Sequence, residues 1–426
     1  MKKLREVLRV LRHRDFRLLW LAQSASVIGD AIVVVALALF VIEDTGSATD
    51  LGFVLTAKGL PLVLFLLVGG VWADRLPRHR LMVATDLLRF ALHGLLAILI
   101  FTGGVQIWQI VVIEALFGTA EAFFRPAATG LLPQTVPERD IQEANAVTTM
   151  FNNVAEFLGP ALATALVLGA GAGTAFALDA GTFLLSAVFL SRIHPRSRAV
   201  SSPAPRRGLT AEIRDGYREV RSRAWVWVTL AVVSVSLFVA LAPWYVLGPV
   251  IARQQYGSVG IYGVTTAAFG AGMLIGSLLA IDWRPRYPMR LGMVLLLAWP
   301  GALLLYAAGV PLAIVIPALA FAGAGVGLFD VWWLTALAER IPADKLSRVT
   351  SYDWMVSLAL LPIGYLLAGP LAQQLGAVEV LVGGSALALL ATALGLLPRE
   401  TRMLPRTGPD PPDLPVSPSS PGMPLP

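Results

Sequence analysis

The sequence predicts an all-α integral membrane protein with twelve transmembrane helices in two pseudo-symmetric halves of six. Three observations predict this fold: the composition, a series of long apolar runs, and a repeat between the halves. Of the 426 residues, 56% are hydrophobic and 14% are charged, whereas soluble domains average about 25% charged residues. The mean hydropathy is +0.72. A soluble chain of this composition would have too little polar surface to cover itself.

Twelve apolar runs are long enough to cross a bilayer, which takes about 20 residues of helix. The first run is too long, and its basic flank too extended, for a cleaved signal peptide. The predicted spans cover residues 16–42, 52–72, 81–102, 107–131, 144–168, 172–192, 224–250, 257–281, 291–309, 311–337, 348–372 and 377–397.

Positive charge predicts the orientation of these spans. Nearly all of the 33 Lys and Arg residues lie before the first span, after the last, or in the loops that follow even-numbered spans. Because such residues stay on the cytoplasmic side, we expect a multi-pass protein of the cell membrane with both termini cytoplasmic. The net charge of +6 then reflects topology and contact with anionic lipid, and argues against a nucleic-acid partner.

The chain divides into two six-helix halves, residues 1–193 and 224–400, joined by a basic cytoplasmic linker at 194–223. A proline-rich tail at 401–426 is expected to be disordered. The segments LLPQTVPERDI (131–141) and ALAERIPADKL (336–346) each join the fourth span of a half to its fifth. Parallel six-helix repeats are typical of transporters, with substrate sites near the midplane between the halves.

The loop after the second span, GGVWADRLPRHR (69–80), resembles the signature of the major facilitator superfamily, although Pro77 stands where the family usually has glycine. The resemblance implies the major facilitator fold and a conformational switch in this loop. Its acid would face the eleventh helix near Ser347–Ser351, and its arginines would pair with acids across the cytoplasmic face. The alternative is that these charges only set topology. The matching residues are Gly70, Asp74, Arg75, Arg78 and Arg80.

A narrower resemblance is to the bacterial macrolide-efflux and enterobactin-exporter-like drug exporters. It rests on RDFRLLWLAQSASVIGD (14–30), FFRPAATGLLPQTVPERDIQEANA (123–146), FLGPAL (157–162) and LDAGTFLLSA (178–187). Gly159 and Pro160 also resemble the antiporter signature of the fifth span, where small residues allow close helix packing. The resemblance implies export of drugs, macrolides or siderophores.

Charged residues inside the spans are the candidates for proton coupling. A charge in the bilayer is costly and needs a partner or a water-filled cavity, and an unpaired buried carboxyl can hold a proton near neutrality. Spacing and depth predict a salt bridge between Asp30 and Lys58. Asp86 with Arg89 is interpreted as a structural pair, and His93 as a packing residue. We expect Asp30, Glu121 and Glu156 to carry protons, with Lys58, Arg89 and Arg125 as charge partners. The alternative is that all are structural ion pairs.

Aromatic residues of the second half suit the walls of a cavity for an amphipathic substrate, or else an interfacial belt. The candidates are Trp244, Tyr245, Trp332 and Trp333. No phosphate-binding loop or hydrolase motif is present, and there is no cysteine. We therefore expect no enzyme activity, no cofactor and no metal site.

Together these features predict a proton-coupled secondary active exporter, an antiporter, of small hydrophobic or amphipathic compounds that works by alternating access. Its expected partners are that substrate, protons and the lipid bilayer, and the protein is expected to be a monomer. Two alternatives stay open. One is an importer or facilitator of a metabolite on the same fold, and the other is a membrane sensor or scaffold that transports nothing.

Overall fold

The computed structural model describes residues 9–195, 217–283, 285–341, 349 and 359–405. In these residues the chain is helical without β-strands, which confirms the predicted fold class. The twelve helices of 15 residues or more are α1 Arg14–Thr45, α2 Ala48–Arg75, α3 Arg78–Phe101, α4 Ile107–Leu131, α5 Ile141–Ala170, α6 Ala172–Ser191, α7 Ala224–Tyr256, α8 Gly260–Asp282, α9 Pro288–Ala307, α10 Leu312–Arg340, α11 Leu361–Leu375 and α12 Ala377–Gly395.

Ten of these helices are long and apolar enough to cross a membrane, judged over the described residues. The other two, α5 and α11, coincide with the fifth and eleventh predicted spans. The apolar part of α5 is Leu158–Ala170, and α11 is described from Leu361 onward. Most of the predicted linker and the tail beyond residue 405 lie outside the described residues.

Within each half, two helices touch backbone to backbone at glycines. A Cβ at Gly118 of α4 would overlap the carbonyl oxygen of Lys58 on α2. In the second half, a Cβ at Gly323 of α10 would overlap the carbonyl oxygen of Phe269 on α8. Small residues permit such approach, and in a bilayer van der Waals packing of this kind drives helix association.

The helix pairings of the first half recur in the second. The pairs α1–α5, α1–α6, α2–α4 and α3–α6 correspond to α7–α11, α7–α12, α8–α10 and α9–α12. Gly159 of α5 packs against Ala31 of α1, and Gly364 of α11 packs in the same way against Ala242 of α7. The repeat seen in the sequence is therefore also a repeat of contacts. One local difference is a π-helical segment in α7 at Leu237–Leu241.

The halves meet where α2 and α8 begin. A Cβ at Gly52, near the start of α2, would overlap the carbonyl oxygen of Tyr365 on α11. A Cβ at Gly263, near the start of α8, would overlap the Thr164 side chain of α5. We call these two contacts the outer seam. They lie on the side that the arginine distribution predicts to be extracellular, and they bring the two halves into contact at that end.

The predicted topology can be tested by thiol labelling, because the chain has no cysteine. Ser191 at the end of α6 and Ser258 between α7 and α8 are both exposed, at opposite ends of the bundle. We expect a membrane-impermeant maleimide to label Ser258→Cys in intact cells, and Ser191→Cys only after the membrane is opened. The reverse pattern would overturn the assignment of cytoplasmic termini.

Candidate functional site

Helix α3 carries three ionisable residues on one face, at the three- and four-residue spacing that aligns side chains along a helix. These residues, Asp86, Arg89 and His93, are buried. The Arg89 guanidinium donates to one oxygen of Asp86, and Ser186 Oγ of α6 donates to the other at 2.6 Å. The predicted pair of Asp86 with Arg89 is therefore present, and it joins α3 to α6.

Arg89 also faces α1. Its Nη1 lies 4.0 Å from Oδ2 of Asp30. Its guanidinium carbon is 4.1 Å from the ring centroid of Phe124 and 4.4 Å from that of Phe183. Contacts with aromatic faces stabilise a cation that has been taken out of water. Arg89 is thus a charge partner of Asp30, held by a second carboxylate and two rings.

Asp30 and Lys58 are placed differently from the salt bridge that spacing suggested. Among the described side chains, the cation within 4.0 Å of the Asp30 carboxylate is Arg89. Lys58 also faces Asp30, but at a longer distance, and its Nζ lies 4.5 Å from the ring centroid of Phe117 on α4. The Asp30 side chain is 31% accessible, against 2% for Arg89. Of these two groups, Asp30 is the one with accessible surface.

Glu121 and Arg125 form an ion pair one turn apart on α4, with Arg125 Nε donating to Glu121 Oε1 at 2.9 Å. The Arg125 side chain is 47% exposed. The third proposed proton carrier, Glu156, belongs to α5, but its side chain lies outside the described residues, as does that of Asp74 in the signature loop. Their proposed roles stay predictions.

His93 is not the isolated packing residue that the sequence suggested. Its Nδ1 hydrogen-bonds to Oδ2 of Asp179 on α6, and its Nε2 lies 3.4 Å from Oε1 of Glu114 on α4. The imidazole also stacks on Phe117, with ring centroids 4.1 Å apart. A signal was available in the sequence: Glu114 and Asp179 are acids within the predicted spans 107–131 and 172–192, and His93 is a base within the span 81–102.

One of the three arginines of the signature loop, Arg78, makes hydrogen bonds within the first half. Arg78 donates from Nη1 to the carbonyl of Gly130 at the end of α4, and from Nε to the carbonyl of Ala73 at 3.3 Å. It therefore ties the ends of α2 and α4 together, in addition to any contact across the cytoplasmic face. Arg75 and Arg80 are exposed.

Three of the four proposed substrate-cavity residues are enclosed by their own half in this conformation. Trp244, Trp332 and Trp333 are each at most 5% exposed. Tyr245 is half-buried, and its ring centroid lies 6.2 Å from that of Tyr365, a residue of the outer seam. Of the four candidates, Tyr245 is therefore the one that is not buried, and it contacts an aromatic residue of the outer seam.

A family model described as Major Facilitator Superfamily matches residues 19–357. The chain belongs to this superfamily. It is therefore a multi-pass transport protein for small molecules and not an enzyme, as the sequence predicted.

Curated relatives of this superfamily protein cover most of its length. Macrolide efflux protein A of Streptococcus pyogenes is 25% identical over 368 residues, 85% of this chain and 90% of that protein. Multidrug efflux pump Tap of Mycolicibacterium fortuitum is 25% identical over 360 residues, 82% of this chain and 87% of that protein. The resemblance to drug exporters seen in the sequence is thus confirmed.

Solved structures show the same fold. The nucleoside transporter NupG aligns with a TM-score of 0.69 at 11% identity, over 89% of this chain and 98% of that one. A bacterial homologue of the human lysosomal transporter Spinster, in an inward-facing and occupied conformation, aligns with a TM-score of 0.67 at 15% identity, over 92% of this chain and 96% of that one.

Two adjacent glycines of the signature loop have different surroundings and form a matched pair for testing. A Cβ at Gly69 would overlap the backbone of Ala122 and Phe123 on α4, whereas a Cβ at Gly70 meets nothing within 4 Å. Overpacking a helix contact costs about 1–3 kcal/mol. We expect Gly69→Ala to lower the free energy of unfolding by about that amount. Gly70→Ala should leave it at least as high as in the wild type, because alanine favours a helix over glycine. Both are measured by denaturation in detergent.

Transport by the same two variants addresses the proposed switch. If Gly70 is a switch residue, Gly70→Ala reduces transport although its stability is at least that of the wild type, because the added methyl group is accommodated in this conformation and not in the alternative one. Wild-type transport by Gly70→Ala would contradict the switch role.

Proposed function

We propose that the protein is a proton-coupled antiporter that exports small hydrophobic or amphipathic compounds, such as drugs, macrolides or siderophores, by alternating access. It would act as a monomer in the cell membrane, with both termini cytoplasmic. The observation that carries the proposal is the accessible carboxylate of Asp30, 4.0 Å from the buried guanidinium of Arg89.

The contacts of Asp30 explain how its protonation would be coupled to movement. Arg89 is already bound to Asp86. Protonating Asp30 therefore removes only the second and weaker partner of Arg89, and the buried Arg89 guanidinium stays paired. The next residue, Ala31, is the point at which α1 packs against Gly159 of α5. α1 also contacts α7 of the other half. A change of charge at Asp30 thus acts where α1 meets both α5 and the second half.

Export of apolar compounds is supported by two relatives, which are a macrolide efflux protein and a multidrug efflux pump. It is also supported by the Tyr245 and Tyr365 pair, which offers aromatic surface without fixed charge. For the cycle, we infer that substrate enters from the cytoplasm or inner leaflet while the outer seam is closed. The halves then rock so that the seam opens.

The proposal is tested with inside-out vesicles, a fluorescent amphipathic dye and an imposed pH gradient. We expect Asp30→Asn to abolish accumulation driven by the gradient but to retain exchange of dye for dye, since exchange needs no net proton movement. The matched control is Asp44→Asn, the same change in an exposed carboxylate of the same helix, about four turns from Asp30. It should retain a response to the gradient.

Two outcomes would contradict the proposal in different ways. Gradient-driven accumulation that survives in Asp30→Asn would remove Asp30 as the proton carrier and shift attention to Glu121 and Glu156. A wild-type protein that moves no dye under any gradient would remove multidrug export and favour a metabolite transporter or a sensor.

A further inference from the structure

We propose that Glu114, His93 and Asp179 form a second proton-binding site, an imidazolium bridge that keeps its proton while Asp30 exchanges one with water. The statement about Asp30 rests on the proposed function. The bridge itself rests on geometry and charge, and it assigns His93 a role as a positioning residue.

The geometry places one base between two acids on three different helices. Nδ1 of His93 on α3 meets Asp179 of α6, and Nε2 lies 3.4 Å from Glu114 of α4. A neutral imidazole carries one N–H, so it can donate to one carboxylate and must turn a lone pair toward the other. An imidazolium donates from both nitrogens. With two carboxylates in place, the doubly protonated form directs one N–H toward each of them.

The bridge is sealed from solvent, in contrast to Asp30. His93, Glu114 and Asp179 each have 0% of their surface exposed. Phe117 stacks on the imidazole, and the Phe176 ring centroid lies 5.5 Å from it, edge-on. Asp30 is 31% accessible. A proton on the bridge is therefore shielded from exchange, whereas a proton on Asp30 is not.

Charge balance among the described side chains calls for a proton at the bridge. Ionised carboxylates buried in a medium of low polarity need compensating charge. Arg89 is bound to Asp86 and Arg125 to Glu121. Lys58 is then the remaining fixed cation among these described side chains, and it faces Glu114, Asp30 and Asp179 as well as the paired Glu121. Two protons complete neutrality. One belongs on the sealed imidazole between its two acids, and the other on the accessible Asp30.

The bridge also contacts α1. A Cβ at Gly29 would overlap Oδ1 of Asp179, so the carboxylate that His93 holds lies against the backbone of the residue before Asp30. Fixing Asp179 therefore fixes the position of Asp30 relative to Arg89. In this way a group that never exchanges its proton sets the geometry of the group that does.

The test observes the protonation state directly. The protein, labelled with ¹⁵N-histidine and reconstituted in lipid, is followed by ¹⁵N NMR from about pH 5 to about pH 8, the range in which an ordinary histidine loses its charge. The chain has four histidines, and the His93 signal is assigned by its loss in His93→Gln. We expect an imidazolium signal that stays unchanged across this range. A neutral imidazole, or a signal that titrates within the range, would overturn the proposal.

Two variants with the same chemical change sharpen the result. Glu114→Gln removes one carboxylate of the bridge, and we expect His93 to titrate in that variant. Glu121→Gln makes the same change about two turns along α4, in a carboxylate bound to Arg125, and should leave the His93 signal unchanged. Titration of His93 in both variants or in neither would contradict the bridge. If Glu114→Gln or Glu121→Gln fails to fold, the wild-type spectrum still decides. If His93→Gln fails to fold, the His93 signal is assigned as the one that remains when His13, His79 and His194 are replaced.

The same measurements separate this proposal from the proposed function. A persistent imidazolium together with gradient-driven transport in Asp30→Asn leaves the bridge standing and removes Asp30 as the carrier. A neutral His93 together with loss of coupling in Asp30→Asn does the opposite.

Discussion

The contact of Gly118 with the carbonyl of Lys58 brings α2 and α4 together without intervening side chains, and the charged interior of the first half depends on it. With the two backbones this close, Lys58 lies over the ring of Phe117, the same ring on which His93 stacks. Lipid offers no hydrogen-bond partner at this depth, so a charge that does not face a water-filled cavity must find its partner within the bundle. A larger residue at position 118 would push α2 and α4 apart, and it would thereby separate the buried charges of these helices from their partners.

The second half repeats this scaffold with different chemistry. The backbone carbonyl of Phe269 contacts Gly323 in the same way as that of Lys58 contacts Gly118. The ring centroid of Phe269 lies 4.4 Å from that of Trp299. Trp244 extends the aromatic packing toward Tyr306. One set of helix contacts therefore carries buried charges in the first half and rings in the second. This division suits a transporter in which proton binding and substrate contact are assigned to different halves.

Much of this arrangement could be predicted from sequence because it is local. Apolar run length located the helices, and a three-residue spacing identified Asp86 with Arg89. Contacts between helices were harder, since they depend on how each helix is rotated about its axis. Asp30 was assigned to Lys58, although Arg89 of α3 lies nearer its carboxylate. His93 was interpreted as a packing residue, although it lies between two acids that belong to two other helices. The tryptophans were correctly placed on helices, but composition does not say which side of a helix faces the cavity.

The buried charges of α3 have a consequence for biosynthesis. On insertion scales, an ionised residue at the centre of a helix costs about 2.5–3.5 kcal/mol, and α3 carries Asp86, Arg89 and His93. Two of its partners, Glu114 and Asp179, belong to α4 and α6 and are synthesised later. A newly synthesised α3 is therefore unstable in lipid on its own. It becomes stable in the membrane once α6 has been synthesised and can pair with it. The first half is therefore expected to leave the translocon as one unit and not helix by helix.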